Sequence, residues 1–476
     1  MTSEERHPLT QFTLNMLPFS DAASEGFELR QVLRLSLFQV SVGMATVMLL
    51  GTLNRVMIVE LGLSAFLVAL MVALPVLIAP VRTFLGFRSD THRSAIGWRR
   101  VPYLWFGSLW QFGGLAIMPF ALIVLSGRQA LGPVWAGEAL AALAFLMTGL
   151  GIHMTQTAGL ALASDRSTPE TQPRVVALLY VMFLVGMAIS SVIMGLLLRD
   201  FSETRLVQVV QGAALATLLL NLVALWKQER MRPTTKAERA TPRPKFAEAW
   251  ADLMAGGSAG RLLFVVAVGT AGFQMQDVLL EPYGGEVLGL SVAATTLLTA
   301  VWAAGAIVGF GLSARWLARG MNPIRMAARG VLFGIVALST IIFAHPMSST
   351  MLFFTGAGLI GFGSGTFAVA LLTSAMAMPV RGKAGRGLAL GAWGAAQAVA
   401  LGLGVAVGGA TRDVVNTLAL KGYMGEALTS AATGYSVVYH IEIGLLFITL
   451  IALGPLVREG QSYATKPGIR LAELPA

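Results

Sequence analysis

The stretch that decides the fold is "KQERMRPTTKAERATPRPKFAEAWADLMAGGSAGR", Lys227 to Arg261. It is polar and rich in Pro, Lys and Arg, and it interrupts a chain that is otherwise a series of long apolar runs. Six runs precede it, at 35–54, 64–85, 102–125, 134–163, 175–198 and 206–226. Six follow it, at 262–282, 292–314, 327–343, 350–378, 388–410 and 435–457. Most are close to the roughly 20 residues a helix needs to cross the hydrocarbon layer. The tenth, 350–378, is long enough to tilt or to extend past the bilayer. Only 12% of the residues are charged, where a soluble domain carries roughly 25%, and mean hydropathy is +0.72. No run alternates apolar and polar residues as barrel strands do. The fold class is therefore an all-α polytopic membrane protein of twelve transmembrane helices in two six-helix halves. The expected divisions are an N-terminal tail at 1–34, a bundle at 35–226, a linker at 227–261 that is solvated with an interfacial turn at 246–254, a second bundle at 262–457, and a C-terminal tail at 458–476.

Orientation follows from the basic residues, which accumulate on the cytoplasmic side of short loops. Of the 34 Lys and Arg, 28 fall in the two tails and in the loops after even-numbered runs, so both termini are expected to be cytoplasmic. The net charge of +10 is thus a topology signal rather than a nucleic-acid surface. Cysteine is absent, which excludes disulfides and thiolate metal sites. The polar first thirty or so residues do not read as a secretory signal.

The loop after the second run reads "GFRSDTHRSAIGWRR". With the six-plus-six layout it resembles the major facilitator superfamily, whose signature there is Gly, three residues, Asp, then a Gly-Arg-Arg/Lys element. Gly86 and Asp90 match the first part, and Gly97, Arg99 and Arg100 the second, with a Trp interposed and a longer gap. In the second half, "GLSARWLARGMNPIR" keeps Gly311 but carries Arg315 in place of the acid. The matching residues suggest a cytoplasmic gate in which Asp90 pairs with Arg99 or Arg100. The bland alternative is a solvated basic loop that anchors the topology.

Ionisable groups in hydrocarbon cost at least roughly 2.5–3.5 kcal/mol and so mark a cavity or a partner. The seventh run ends "GFQMQDVLLEPYGGEV", Gly272 to Val287, with two acids and two amides and no base beside them. As one continuous helix it places Gln274, Asp277 and Glu281 on a stripe rising to the periplasmic mouth, with Gln276 pointing away and the helix broken at Pro282-Tyr283-Gly284-Gly285. The fourth run, "GLGIHMTQTAGLALASD", buries His153, roughly 18 Å from Asp165, with Gln156 and Thr157 one turn on. His440 lies near the start of the last run beside Glu442. No cavity Lys or Arg is expected to receive an anionic substrate. The glycine faces around Gly391, Gly394, Gly404 and Gly408 read as close helix packing, with a slot for a planar macrocycle as the sharper alternative.

Several strings together resemble the bacteriochlorophyll-delivery (PucC/LhaA-like) family of that superfamily: "LRLSLFQVSVGMATVMLLGTLNRVMIVELG" from Leu33, "GFRSDTHRSAIGWRRVPY" from Gly86, "QFGGLAIMPFAL" from Gln111 and "FQMQDVLLEPYGGEVLGLS" from Phe273. "QDVLLEPYGG" is the most specific. The resemblance implies a non-enzymatic assembly factor that binds bacteriochlorophyll as cargo and hands it to light-harvesting apoproteins of LH1 or LH2 type. Bacteriochlorophyll-synthesis enzymes would be further partners. The implied location is the bacterial inner membrane, including the intracytoplasmic photosynthetic membrane. His153, Gln156, Gln274, Asp277, Glu281 and Tyr283 are the candidate pigment- or partner-binding residues, with His153 as axial ligand to the pigment Mg and no metal held directly. The other reading is a proton-coupled carrier of a small solute, with Asp277 or Glu281 as the titrating acid.

Overall fold

The computed structural model describes residues 28–464 apart from 54–55, 58–64, 95, 126–133, 199–201, 232, 236–239, 241, 243, 256, 278, 291, 379–381, 426–427 and 431. Side chains of a few residues inside helices, Glu281 among them, also lie outside the described set. Among the described residues all regular structure is helical, and ten helices are long and apolar enough to cross a membrane, or eleven if one short helix is counted with its neighbour. The protein is a multi-pass membrane protein.

The helices are α1 (Leu29–Val47, continued by a π turn at Met48–Thr52), α2 (Ala65–Leu77), α3 (Val81–Asp90), α4 (Val101–Leu125), α5 (Val134–Arg166), α6 (Gln172–Leu197) and α7 (Glu203–Leu225). The linker carries α8 (Phe246–Met254). Then come α9 (Ser258–Gln274), α10 (Leu280–Glu286), α11 (Val292–Ala318), α12 (Pro323–Ala344), α13 (Thr350–Met376), α14 (Arg386–Leu420) and α15 (Ala432–Ala464).

Packing divides the chain into two compact units. One is 1–255 with 375–402, the other 256–374 with 403–476. In the first, α4 packs along α5 and α7, and α1 along α6 and α7. The α4–α5 contact rests on small residues: Gly107 and Gly114 lie against Thr155 and Thr148, and Gly151 against the Gln111 backbone, leaving no room for a Cβ. Without a hydrophobic drive between helices in lipid, such close approach supplies the dispersion energy. The first half of α14 joins this unit because Gly391 fits against the Arg82 backbone and Gly387 against Gly86. The small face of α14 is thus occupied by helix backbone and by Arg82, which is the packing reading of that face and not the macrocycle slot. The linker's α8 docks on α3 through Phe246, edge-on to Phe87 at 5.5 Å, and stacks Trp250 on Phe246.

In the second unit α15 packs on α9 and α12. Here the structure corrects the seventh run: it is not one continuous helix to Pro282. The α-helix stops at Gln274, Met275–Asp277 and Leu279 form turns, and α10 restarts at Leu280. Pro282, Gly284 and Gly285 lie inside α10. A proline in the first helical turn needs no N–H donor there, so Pro282 is tolerated where a break was expected.

Candidate functional site

Three polar centres stand out, two in the first unit and one in the second.

The first lies at the start of α4. Arg100, fully buried, forms an ion pair through Nη2 with Asp90 Oδ1 at 2.6 Å, and donates from Nε to Asp165 Oδ2 at 3.0 Å and from Nη1 to Ser89 Oγ at 2.6 Å. Asp90 also accepts the backbone N–H groups of Gly387 (2.9 Å) and Leu388 (2.8 Å) at the start of α14. A helix N-terminus has unpaired N–H donors and a positive dipole end, so a carboxylate is well placed there. Burial works against the Arg100 charge, yet Asp90 and Asp165 hold its pKa above the ordinary value. Arg99 is the lesser partner: half-exposed, it reaches Asp165 at 3.5 Å. Glu229 of the linker accepts the N–H groups of Arg99, Arg100 and Val101 at 2.9–3.1 Å and so caps α4. Gly86 has no space for a side chain beside the Gly387 backbone. Sequence pattern supplied Gly86, Asp90 and Arg100, but not Asp165, Glu229 or the "GRG" at 385–387. That repeated small-basic-small pattern was the available signal.

The second centre surrounds the break between α2 and α3. The Ala79 N–H bonds the Val76 carbonyl, a 3₁₀-type contact. The Pro75 carbonyl, which Ala79 would serve in an unbroken α-helix, instead meets His153 Nε2 at 2.7 Å. Arg82 Nε donates to Thr157 Oγ1 at 3.2 Å, and Gly394 lies against its guanidinium. Arg82 is buried, among the described residues no carboxylate pairs with it, and its Nη2 has no hydrogen-bond partner. Its place near the end of the second run groups it with the loop by sequence, whereas the structure buries it at the start of α3. Gln156 is half-buried on the same helix.

The donor chemistry of His153 suits an axial ligand: with Nε2–H bound to Pro75, Nδ1 keeps a lone pair that has no partner. His153 is buried, only 7% exposed, and Gly149, one turn away, abuts Pro75, so the imidazole ties α5 to α2.

The third centre is built at the α9–α10 break. Glu442 of α15, fully buried, accepts the Gln276 N–H at 2.8 Å. Gln276 Nε2 donates to Asp277 Oδ1 at 3.0 Å and to the Phe273 carbonyl at 3.2 Å. Gln274 turns its amide nitrogen to the same Asp277 carboxylate. Gln276, expected to point away, is therefore the hub, because the helix no longer runs at a constant 100° per residue through this segment. Tyr283 is buried, its ring 5.3–5.6 Å from those of Phe353, Tyr435 and Tyr439. Beyond it Tyr435 donates to Glu286 at 2.8 Å, and Arg412 pairs with Glu286 and donates to the Tyr435 hydroxyl. Gln274, Asp277 and Tyr283 thus sit in one unit and His153 and Gln156 in the other. The Glu281 side chain lies outside the described residues.

Comparison with known proteins adds the family. The family model described as "PUCC protein" matches residues 52–461. A Rhodobacter capsulatus protein described as "Uncharacterized protein in puhA-bchM intergenic region" is 63% identical, covering 99% of each chain. "Protein PucC" of Rhodovulum sulfidophilum is 51% identical over 88% of this chain and 92% of its own. "Bacteriochlorophyll synthase 44.5 kDa chain" of Rhodobacter capsulatus is 28% identical over 93% of this chain and 99% of its own. Among solved structures, FucP, a major facilitator superfamily transporter in the outward conformation, superposes with a TM-score of 0.63 at 12% identity, covering 93% of this chain and 99% of that one. That likeness shows the fold.

Proposed function

The chain belongs to the PucC family, and from that premise we propose that it is a non-enzymatic assembly factor for photosynthetic light-harvesting complexes. In this reading it binds or delivers bacteriochlorophyll to antenna apoproteins of LH1 or LH2 type in the bacterial inner membrane, including its intracytoplasmic extensions. The observation that carries the proposal is similarity along nearly the whole chain to PucC proteins and to a protein named as a bacteriochlorophyll synthase chain. The facilitator fold adds a membrane-embedded scaffold whose helices can separate and close. The Asp90–Arg100–Asp165 network, tied to the start of α14, serves in this proposal as the cytoplasmic latch. Asp277, exposed beside the α9–α10 break, and Glu281 belong to the face offered to the apoprotein. His153 is assigned to the scaffold and not to the pigment.

A second reading, a proton-coupled carrier of a small solute, draws on the buried Glu442 beside Asp277. One experiment separates the two. The protein purified from a phototrophic host should carry bacteriochlorophyll near stoichiometric amounts in its absorption spectrum, and its deletion should lower antenna-complex yield. Pigment-free protein together with undiminished antenna yield would overturn the proposal.

A further inference from the structure

The α9–α10 break holds more oxygen than its hydrogen bonds use. Glu442 Oε2, Gln276 Oε1 and the Tyr439 hydroxyl are all buried without a hydrogen-bond partner. Glu442 and Tyr439 are three residues apart on α15 and so share a helix face. Gln276 is bound to Glu442 through its backbone N–H and to Asp277 through its side-chain amide, so these three groups form one cluster, with Tyr439 one turn before Glu442 on α15. Among the described residues no Lys, Arg or His forms an ion pair with Glu442 or Asp277.

A buried carboxylate beside two orphan oxygens lacks positive charge, and an unpaired buried charge is expensive. We propose that Glu442, Gln276 and Tyr439 bind a hard monovalent cation, with sodium as the ion of the matching size and charge, and that Asp277 lines its approach. The donor set is all oxygen, which selects hard cations over zinc, copper or iron. One fully buried carboxylate balances a single positive charge. Among the described residues no group of three or more His, Cys, Asp or Glu gathers to hold a more highly charged metal. Magnesium in addition demands near-octahedral geometry and dehydrates reluctantly. A proton on Glu442 is the competing occupant, and the experiment below separates the two. Asp277 is exposed, which gives the ion an entry path to Glu442. Interrupted membrane helices place such ions where the backbone unwinds, and the turn at Met275–Asp277 is such a break here.

The test is thermal unfolding of the full-length protein in detergent at fixed pH and ionic strength, with NaCl exchanged stepwise for choline chloride. The wild-type melting temperature should rise with sodium and saturate, as for any ligand that binds only the folded state. Glu442→Gln should abolish the rise. Tyr439→Phe keeps the ring and removes one oxygen, and it should move the half-saturating sodium concentration up by roughly tenfold. It keeps the proposal testable if the glutamate variant does not fold. A wild-type protein indifferent to sodium overturns the site, as does an equal sodium response in Tyr439→Phe. A melting temperature that follows pH alone, and loses that dependence in Glu442→Gln, assigns the position to a proton and overturns it too. Pigment content is not read, so failure here leaves the assembly proposal standing or falling on its own experiment.

Discussion

Replacing Asp90 by Asn tests the latch most directly. The carboxylate holds Arg100 at 2.6 Å and accepts two backbone N–H groups of α14 at 2.8–2.9 Å. All three neighbours are donors. An Asn keeps one accepting oxygen and turns an NH₂ toward another donor, so one contact becomes donor against donor. Losing a charge-assisted hydrogen bond costs about 1.5–3 kcal/mol, and losing charge at a helix N-terminus about 0.3–1 kcal/mol. Arg100 still has Asp165 at 3.0 Å, which keeps the total below the roughly 3–5 kcal/mol of a fully orphaned buried charge. A cost of about 2 kcal/mol on the closed arrangement corresponds to roughly a thirtyfold rise in the open population. The chain has no cysteine, so a single cysteine at the buried Ala389, one residue past the Asp90 contact, reports opening through its maleimide labelling rate. The rate should rise by about that factor over the Asp90 parent. Arg100→Gln, which leaves two acids facing each other, should exceed it. Labelling at the parent rate in both variants would refute the latch and leave the loop as a topology anchor.

His153→Leu should lower thermal stability by about 1 kcal/mol through loss of the Pro75 bond, with pigment per folded molecule unchanged; selective pigment loss at full stability would return His153 to the cargo. Arg82→Leu removes a buried guanidinium that has no acid partner, so stability should hold or rise by up to about 1–4 kcal/mol while antenna yield falls; a loss of both in parallel, measured by melting temperature and antenna absorbance, would make Arg82 structural. Glu229→Ala should cost about 1 kcal/mol through loss of the α4 cap, read by denaturation of the purified protein.

The sequence showed which charges sit in or near the membrane but not which of them are paired. The Gly-x-x-x-Asp and Gly-Trp-Arg-Arg spacings led to Asp90 and Arg100, because a local pattern placed both at one helix end. The backbone donors of Gly387 and Leu388 stand 297 and 298 residues further on, and no periodicity in either segment connects them to Asp90. Glu442 shows the same limit. Next to His440 it reads as part of a polar helix start, yet His440 is exposed and Glu442 fully buried, two residues and about 200° apart on one helix. The stripe on the seventh run failed for a different reason. The constant angle per residue holds only while the helix is continuous, and Glu442 supplies the acceptor that lets the helix end at the Met275–Asp277 turn. A partner in the last span thus decides the local structure of the seventh. Burial then sorts the charges by function. Arg100 is answered by two acids and can close an interface, whereas among the described residues Arg82 and Glu442 have no ion-pair partner. An unanswered charge in hydrocarbon survives when something outside the helix bundle balances it. Arg82 and Glu442 are therefore the positions at which a ligand, and not a helix neighbour, should change the stability of the fold.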